Sequence, residues 1–166
     1  MATALFIGRF QPLHNGHISA IKEILKNNEN LIIAIGSAQK NNEPENPFSF
    51  SEREKMIELS VSGNYKIFPL EDMDDNNLWA KQVEKVCGKF DFVYTGNPLV
   101  REILSIAGYF VKPVKIFPCA SATEIRELIA TGNPEWKKFV PAGAAEFIEK
   151  ISGAERIKRI ISSKIS

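Results

Sequence analysis

The sequence predicts an α/β protein: a Rossmann-like, doubly wound parallel sheet with helices on both faces and extra helices at the C-terminus. Two observations predict it. Short apolar runs alternate with helix-spaced apolar patterns along the 166 residues, in the order β-α-β-α-β-α-β-α-β-α. The run Leu31-Ile32-Ile33-Ala34-Ile35 is wholly apolar and rich in β-branched residues, as a parallel strand buried on both faces is.

Each element has its own signal. Ala4 to Ile7 reads as the first strand, ending at Gly8. His17 to Lys26 carries Ile18, Ile21, Ile24 and Leu25 at helical spacing. Leu31 to Ile35 is the second strand. Ser51-Glu52-Arg53-Glu54 reads as a capping box that opens a helix through about Val61. Lys66 to Pro69 is a shorter strand, and Trp79, Val83, Val86 and Cys87 share one face of the next helix. Phe92-Val93-Tyr94 forms a strand before Thr95-Gly96. Asn97-Pro98 is an N-cap followed by proline in the first turn of a helix that stops at Gly108. Val114 to Phe117 is the expected last strand. Ser121 to Glu124 is a second capping box, and its helix ends near Gly132-Asn133-Pro134. From Arg156 to Ile165 the isoleucines fall on one side, as in a packed terminal helix. Right-handed crossovers leave few ways to connect such strands.

The totals set bounds on function. Lys plus Arg number 21 and Asp plus Glu 20, a net charge of +1. A general nucleic-acid binder shows a basic excess, so no nucleic-acid partner is expected. No apolar run nears the roughly 18 residues of a membrane span. Met1 leads straight into a strand-like segment without a basic stretch, so no signal peptide and a cytoplasmic location are expected. Cys87 and Cys119 lie in no C-x-x-C pattern and read as reduced, partly buried thiols. The length suits one domain, residues 1–166, with a sheet core to about residue 132 and a helical extension over 133–166. Gln39 to Pro47 is the longest polar loop and a candidate lid.

The chain has only two histidines, His14 and His17, and they lie three positions apart at the entry to the first helix. Open α/β sheets bind ligands at the carboxyl ends of their strands, where strand order reverses. Four strand-end loops carry glycines, hydroxyls or cations: Gly8 to His17, Gly36 to Gln39, Thr95 to Pro98 and Ser121 to Arg126. Gly16 permits close backbone approach, and a helix N-terminus offers free N–H groups to phosphate. Two imidazoles there can donate to phosphate oxygens; they can also simply cap the helix. A zinc site would need a further ligand, and no Cys or other His lies nearby. Ser121-x-Thr123-x-x-Arg126 reads equally as a capping box and as a phosphate-binding group with a forked arginine donor. Trp79 lies on the apolar stripe of its helix and reads first as a core residue. The acidic and amide residues from Glu71 to Asn77 also suit an aromatic platform for a cationic heteroaromatic ring.

The stretch Gly8-Arg9-Phe10-Gln11-Pro12-Leu13-His14-x-Gly16-His17 resembles the opening of the archaeal nicotinamide-nucleotide adenylyltransferases. Gly36-Ser37-Ala38-Gln39, Asn46-Pro47-Phe48, Glu52-Arg53, Gly96-Asn97-Pro98-Leu99-Val100 and Ser121-x-Thr123-Glu124-Ile125-Arg126 are similar to later blocks of that family, in order and at compatible spacing. H-x-G-H alone points only to the wider nucleotidyltransferase superfamily; the later blocks narrow it. The resemblance implies transfer of AMP from ATP to the 5′-phosphate of nicotinamide mononucleotide, giving NAD and pyrophosphate. It implies that His14, His17 and Arg126 are the catalytic groups. Gly8, Arg9, Phe10, Gly16, Gly96, Asn97, Ser121 and Thr123 would bind ATP. Ser37, Gln39, Asp72, Asn76 and Trp79 would bind the mononucleotide, Trp79 by stacking. It also implies self-association into a homo-oligomer.

Two positions depart from the family pattern. Glu127 and Leu128 follow Arg126 where relatives often carry further basic residues, and Ala122 stands where Gly is common. The expectation is then either a weaker grip on phosphate or compensation from another Lys or Arg. The expected mechanism is direct in-line attack on the α-phosphorus, with Mg²⁺ arriving on ATP rather than in a protein cage. Competing expectations are transfer of AMP to another phosphate, such as flavin mononucleotide or a pantetheine phosphate, and a non-catalytic nucleotide sensor.

Overall fold

Five strands form one parallel sheet: β1 (Thr3–Gly8), β2 (Asn30–Ile35), β3 (Tyr65–Pro69), β4 (Phe92–Thr95) and β5 (Val111–Pro113), in the spatial order β3-β2-β1-β4-β5. The structure, a computed structural model, describes residues 2–114 and 120–165. Strand order turns at β1, with β2 and β3 to one side and β4 and β5 to the other. Right-handed crossovers require the helices of the two halves to lie on opposite faces. The loops after β1 and β4 therefore flank the switch point at which such sheets bind ligands.

The chain divides into two units, each with its own core. The sheet unit comprises Met1–Arg9, Ala20–Ala38 and Gly63–Lys115. Leu5, Ile7, Ile32, Ala34 and Val93 alternate along their strands and pack with Ala80, Val83 and Cys87 of α3 (Asn76–Cys87) and Leu104 of α4 (Pro98–Ile106). Each fully buried Leu or Ile stabilises by about 1.5–3 kcal/mol. The Cys87 thiol is free and buried, and burial pushes its pKa up to about 12. Cys119 lies outside the described residues.

The helical unit comprises Phe10–Ser19, Gln39–Ser62 and Ile116–Ser166. It holds α2 (Phe50–Glu58), α5 (Ala122–Ala130), a 3-10 helix (Pro134–Phe139), α6 (Ala142–Lys150) and α7 (Gly153–Ile165). Met56, Ile57, Ile125, Ile129, Trp136, Ile148 and Ile157 are its buried side chains. Here α5 packs on α7 and on the 3-10 helix, and α6 packs on α2 and α7. The first helix, α1 (Asn15–Asn27), begins in this unit and continues into the sheet unit from Ala20.

Two expectations shift. The last strand was expected at Val114 to Phe117. It lies at Val111–Pro113, Val114 is outside it, and residues 115–117 fall outside the described ones. The reason is its place at the sheet edge, where Pro is tolerated and apolar alternation weakens. Lys112 fits there because its ammonium lies 3.4 Å from the centroid of the Phe92 ring. The second shift concerns α2, where two S-x-x-E patterns overlap. The expected box begins at Ser51, but the one formed pairs Ser49 with Glu52. Starting there buries Arg53, Met56 and Ile57 and aims the Glu52 carboxylate at Arg156 of α7.

Candidate active site

The histidine loop leaves β1 through a strained turn. Phe10 has φ 54°, a left-handed conformation that costs a non-glycine residue on the order of 1 kcal/mol. Its buried ring packs against His17, with centroids 4.7 Å apart. Gln11, Pro12, Leu13 and His14 are all buried behind it.

His14 occupies the position before the first residue of α1, and its imidazole does the work of an N-cap. Nδ1 of His14 accepts from the Gly16 N–H at 3.1 Å and the His17 N–H at 3.4 Å, while its carbonyl accepts the first helical bond from Ile18. Nδ1 of His17 accepts from the His14 N–H at 3.2 Å. The two rings stack with centroids 3.7 Å apart. Since Nδ1 is an acceptor in both rings, each neutral imidazole carries its proton on Nε2. Burial lowers the His14 pKa to about 4. Burial, and then the neighbouring His14, hold His17 well below its ordinary value. At neutral pH the loop therefore offers two uncharged Nε2–H donors with their other nitrogens already fixed.

Arg126 of α5 joins this cluster. Its side chain is buried, with Nη1 donating to the Gln11 carbonyl at 2.9 Å and Nη2 to the Thr123 hydroxyl at 3.4 Å. Ser121 caps α5: its hydroxyl accepts the Glu124 N–H at 3.2 Å, and its own N–H donates to Glu124 Oε2 at 2.6 Å. That N–H, with the Ser121 hydroxyl, draws the Glu124 carboxyl below its ordinary pKa. Asn15 Nδ2 donates to the Lys138 carbonyl at 3.0 Å, tying the start of α1 to the 3-10 helix. The helical unit thus brings together Phe10, Gln11, His14, His17, Thr123 and Arg126.

The sheet unit gathers the other strand-end residues. The Gly8 carbonyl accepts the Gly36 N–H at 2.9 Å, and Arg9 is exposed with its stem beside Gly36. Ser37, with φ 49°, is buried and donates its hydroxyl to Asp72 Oδ1 at 3.0 Å. Asp75 caps α3 by accepting from the Asn77 and Leu78 N–H groups at 2.8 and 3.0 Å. Asn76 is exposed in the first turn of α3. Gly96 and Asn97 are exposed after β4, and Asn97 caps α4 by accepting from Leu99 and Val100.

Against this geometry, the cytidylyltransferase-like family model matches residues 5–128. A nicotinamide-nucleotide adenylyltransferase of Thermococcus onnurineus is 41% identical over 166 residues, covering 96% of this chain and 88% of that protein. One from Methanococcus aeolicus is 43% identical over 162 residues, covering 95% and 94%. The chain belongs to the nicotinamide-nucleotide adenylyltransferases. A solved structure from Francisella tularensis is also similar. It is a bifunctional NMN adenylyltransferase/ADP ribose pyrophosphatase with AMP and a manganese ion. That match has a TM-score of 0.74 and 28% identity, and covers 98% of this chain but only 52% of the Francisella chain.

Within this adenylyltransferase family member, the capping readings at Ser121 and Asn97 hold, whereas the one at Ser51 does not. Ser121 and Asn97 both spend a side-chain oxygen on their helices. Their backbone N–H groups are engaged as well, Ser121 with Glu124 Oε2 at 2.6 Å and Asn97 with the Thr95 hydroxyl at 3.2 Å. Trp79 falls between its two readings: it is half-buried and packs on the edge of the sheet core. Gln39 is exposed at the first position of the polar loop. Sequence reasoning missed the part played by the Gln11 side chain, which pairs with the main chain of Phe48, and by Arg156, which grips Glu52. No periodic pattern signals pairings that span 37 and 104 positions.

Proposed function

We infer that the protein transfers the AMP part of ATP to the 5′-phosphate of nicotinamide mononucleotide, giving NAD and pyrophosphate. The similarity of the whole chain to nicotinamide-nucleotide adenylyltransferases at about 40% identity supports the reaction. The observation that carries the mechanism is the stacked pair of neutral histidines with both Nδ1 atoms occupied.

A phosphate oxygen of the mononucleotide attacks the α-phosphorus of ATP in line. A new P–O bond forms there, the bond to the β-phosphate oxygen breaks, and pyrophosphate leaves with the electron pair. The nucleophile is already an anion, so no general base is required. Catalysis is positioning and electrostatic stabilisation. His17, with His14 beside it, donates from Nε2–H to the α-phosphate oxygens. Arg126 and Arg9 supply positive charge to the polyphosphate, the hydroxyls of Ser121 and Thr123 lend further donors, and Gly16 lets the nucleotide approach the backbone closely. Gly8, Phe10, Gly96 and Asn97 line the ATP side. Ser37, Gln39, Asp72, Asn76 and Trp79 bind the mononucleotide, with Asp72 already oriented by Ser37. Magnesium enters as part of the substrate, bound to the phosphates of ATP.

The test is incubation with ATP and Mg²⁺ against nicotinamide mononucleotide, nicotinic acid mononucleotide, flavin mononucleotide and phosphopantetheine, reading dinucleotide and pyrophosphate. NAD should be the product, and selective transfer to flavin or pantetheine phosphate would overturn the assignment. We take residues 1–166 as one nucleotidyltransferase domain acting in the cytoplasm on small nucleotides. Self-association is proposed on the exposed Leu99, Ile106 and Phe110 near the edge strand β5, and light scattering checks it. Among the described residues no helix is long and apolar enough to cross a membrane.

A further inference from the structure

Gln11 sits between the strained Phe10 and the histidines. The residue is 2% exposed, and both ends of its side-chain amide meet the same residue. Nε2 donates to the Phe48 carbonyl at 2.9 Å, and Oε1 accepts the Phe48 N–H at 3.0 Å. The pair imitates one rung of a β-ladder. On its other side, the Gln11 carbonyl is held by Arg126 Nη1 at 2.9 Å. One residue thus ties the histidine loop both to Phe48 and to the arginine assigned to polyphosphate.

Phe48 is itself held from the C-terminal helix. Arg156 of α7 donates from Nη1 to the Pro47 carbonyl at 3.1 Å and to Glu52 Oε2 at 2.7 Å, and from Nη2 to Glu52 Oε1 at 2.8 Å. Burial alone would raise the Glu52 carboxyl. The Arg156 fork and the Ser49 N–H outweigh it and hold the group below its ordinary pKa. The Phe48 ring lies 5.9 Å from the Arg156 guanidinium. Only glycine fits at residue 153, because a Cβ there would lie 2.8 Å from Cε1 of Phe48. A fully buried peptide group has no water to turn to if its partner is removed. Gln11 is therefore a fixed point for the loop, and not a replaceable surface contact.

We propose that Gln11 is a positioning residue for the histidine pair in adenylyl transfer, and that Arg156 on α7 is its outer support. The inference rests on reading His14 and His17 as phosphate donors. Donors preorganised for a transferring phosphoryl group lose their effect when displaced by a fraction of the length of a hydrogen bond. A side chain that fixes their loop should then act on turnover more than on substrate binding.

The experiment is a double-mutant cycle in the full chain, Gln11→Met with His17→Ala, measured by steady-state NAD formation well below the melting temperature. Gln11→Met alone should lower kcat by about tenfold or more, with KM for the mononucleotide within about twofold. In the His17→Ala background it should cost no more than about twofold further. Losses that multiply, or a lower melting temperature with wild-type kcat, would overturn the proposal. Imidazole ¹⁵N shifts of His14 and His17 give a readout that needs no turnover. They should move in Gln11→Met, and unmoved shifts would overturn the proposal even if kcat fell. Shifts that move in a protein whose wild type makes no NAD would instead overturn the reaction assigned. If Gln11→Met does not fold, Gln11→Asn keeps the amide on a shorter stem and carries the same expectations. Arg156→Lys, which loses the fork, should lower kcat by about two- to threefold; an effect on melting temperature alone would remove Arg156 from the relay.

Discussion

The histidine loop and the segment from Glu71 to Trp79 carry residues assigned to different substrates, and they are built in opposite ways. In the loop, Phe10, Gln11, Leu13 and His14 are buried, the backbone is strained at Phe10, and both Nδ1 atoms are taken. From residue 71 to 78 every residue is exposed, and the half-buried Trp79 is the first to touch the core. A group that stabilises developing charge on phosphorus must be in place before the charge appears, since reorganising it would consume the gain. A surface that stacks on a planar base needs area and tolerates small displacements. The rigid region suits the chemistry of phosphate transfer, and the open one suits binding.

The sharpest way to break this contrast is to remove a donor from the rigid region. His17→Ala should cut kcat by about 10²–10³-fold, the range for losing one preorganised donor to a transition-state oxyanion. Circular dichroism should show the fold retained, since the His14 acceptor that caps α1 stays and only the acceptor of the His14 N–H is lost. Near wild-type kcat would put the chemistry elsewhere.

A second test uses pH. An unfolded histidine takes up a proton near its ordinary value of 6.5, whereas folded His14 does so near 4. Between those values the unfolded state binds more protons, so stability is full above the window and is lost as pH falls through it. For His14 the loss is about 3 kcal/mol if the whole shift reflects folding. Urea midpoints from pH 7 to pH 4 measure it. His14→Asn keeps a capping oxygen without the titration and should remove the His14 share of the dependence, leaving the share of His17.

Trp79 tests the open region. Trp79→Ala should raise KM for the mononucleotide by about tenfold, within the 1–3 kcal/mol of a stacked base, and leave KM for ATP nearly unchanged. Equal effects on both would assign Trp79 to the sheet core alone.

The same contrast explains what could be read from sequence. β1 and β2 declare themselves because each is a continuous apolar run, and the caps at Asn97 and Ser121 act within three residues of themselves. His14 and His17 were legible as a pair at a strand end, with helix capping as one of their two readings, though not the tautomer of either ring. β5 was misplaced because an edge strand of three residues, one of them Pro113, carries too short a pattern. The choice of Ser49 over Ser51 depends on Arg156, more than a hundred positions away, and the Gln11–Phe48 rung leaves no local trace. Local hydrogen bonds write themselves into neighbouring residue types; tertiary ones do not.

The smallest expected effect separates chemistry from burial most cleanly. Gln82 makes the same reciprocal rung as Gln11: Nε2 donates to the Glu71 carbonyl at 3.0 Å, and Oε1 accepts the Glu71 N–H at 3.0 Å. It holds the open segment to α3, but Glu71 is exposed, so water replaces the lost bonds when the side chain is truncated. Gln82→Ala should cost no more than about 1 kcal/mol of stability and leave kcat unchanged. Gln11→Ala strands a buried N–H and a buried carbonyl on Phe48, at about 1–3 kcal/mol for each group. Denaturant midpoints of the two variants, compared at one pH above 7 where the histidines do not titrate, measure the difference directly. Equal losses would mean that the glutamine rung, and not the dryness of its surroundings, sets the rigidity of the histidine loop.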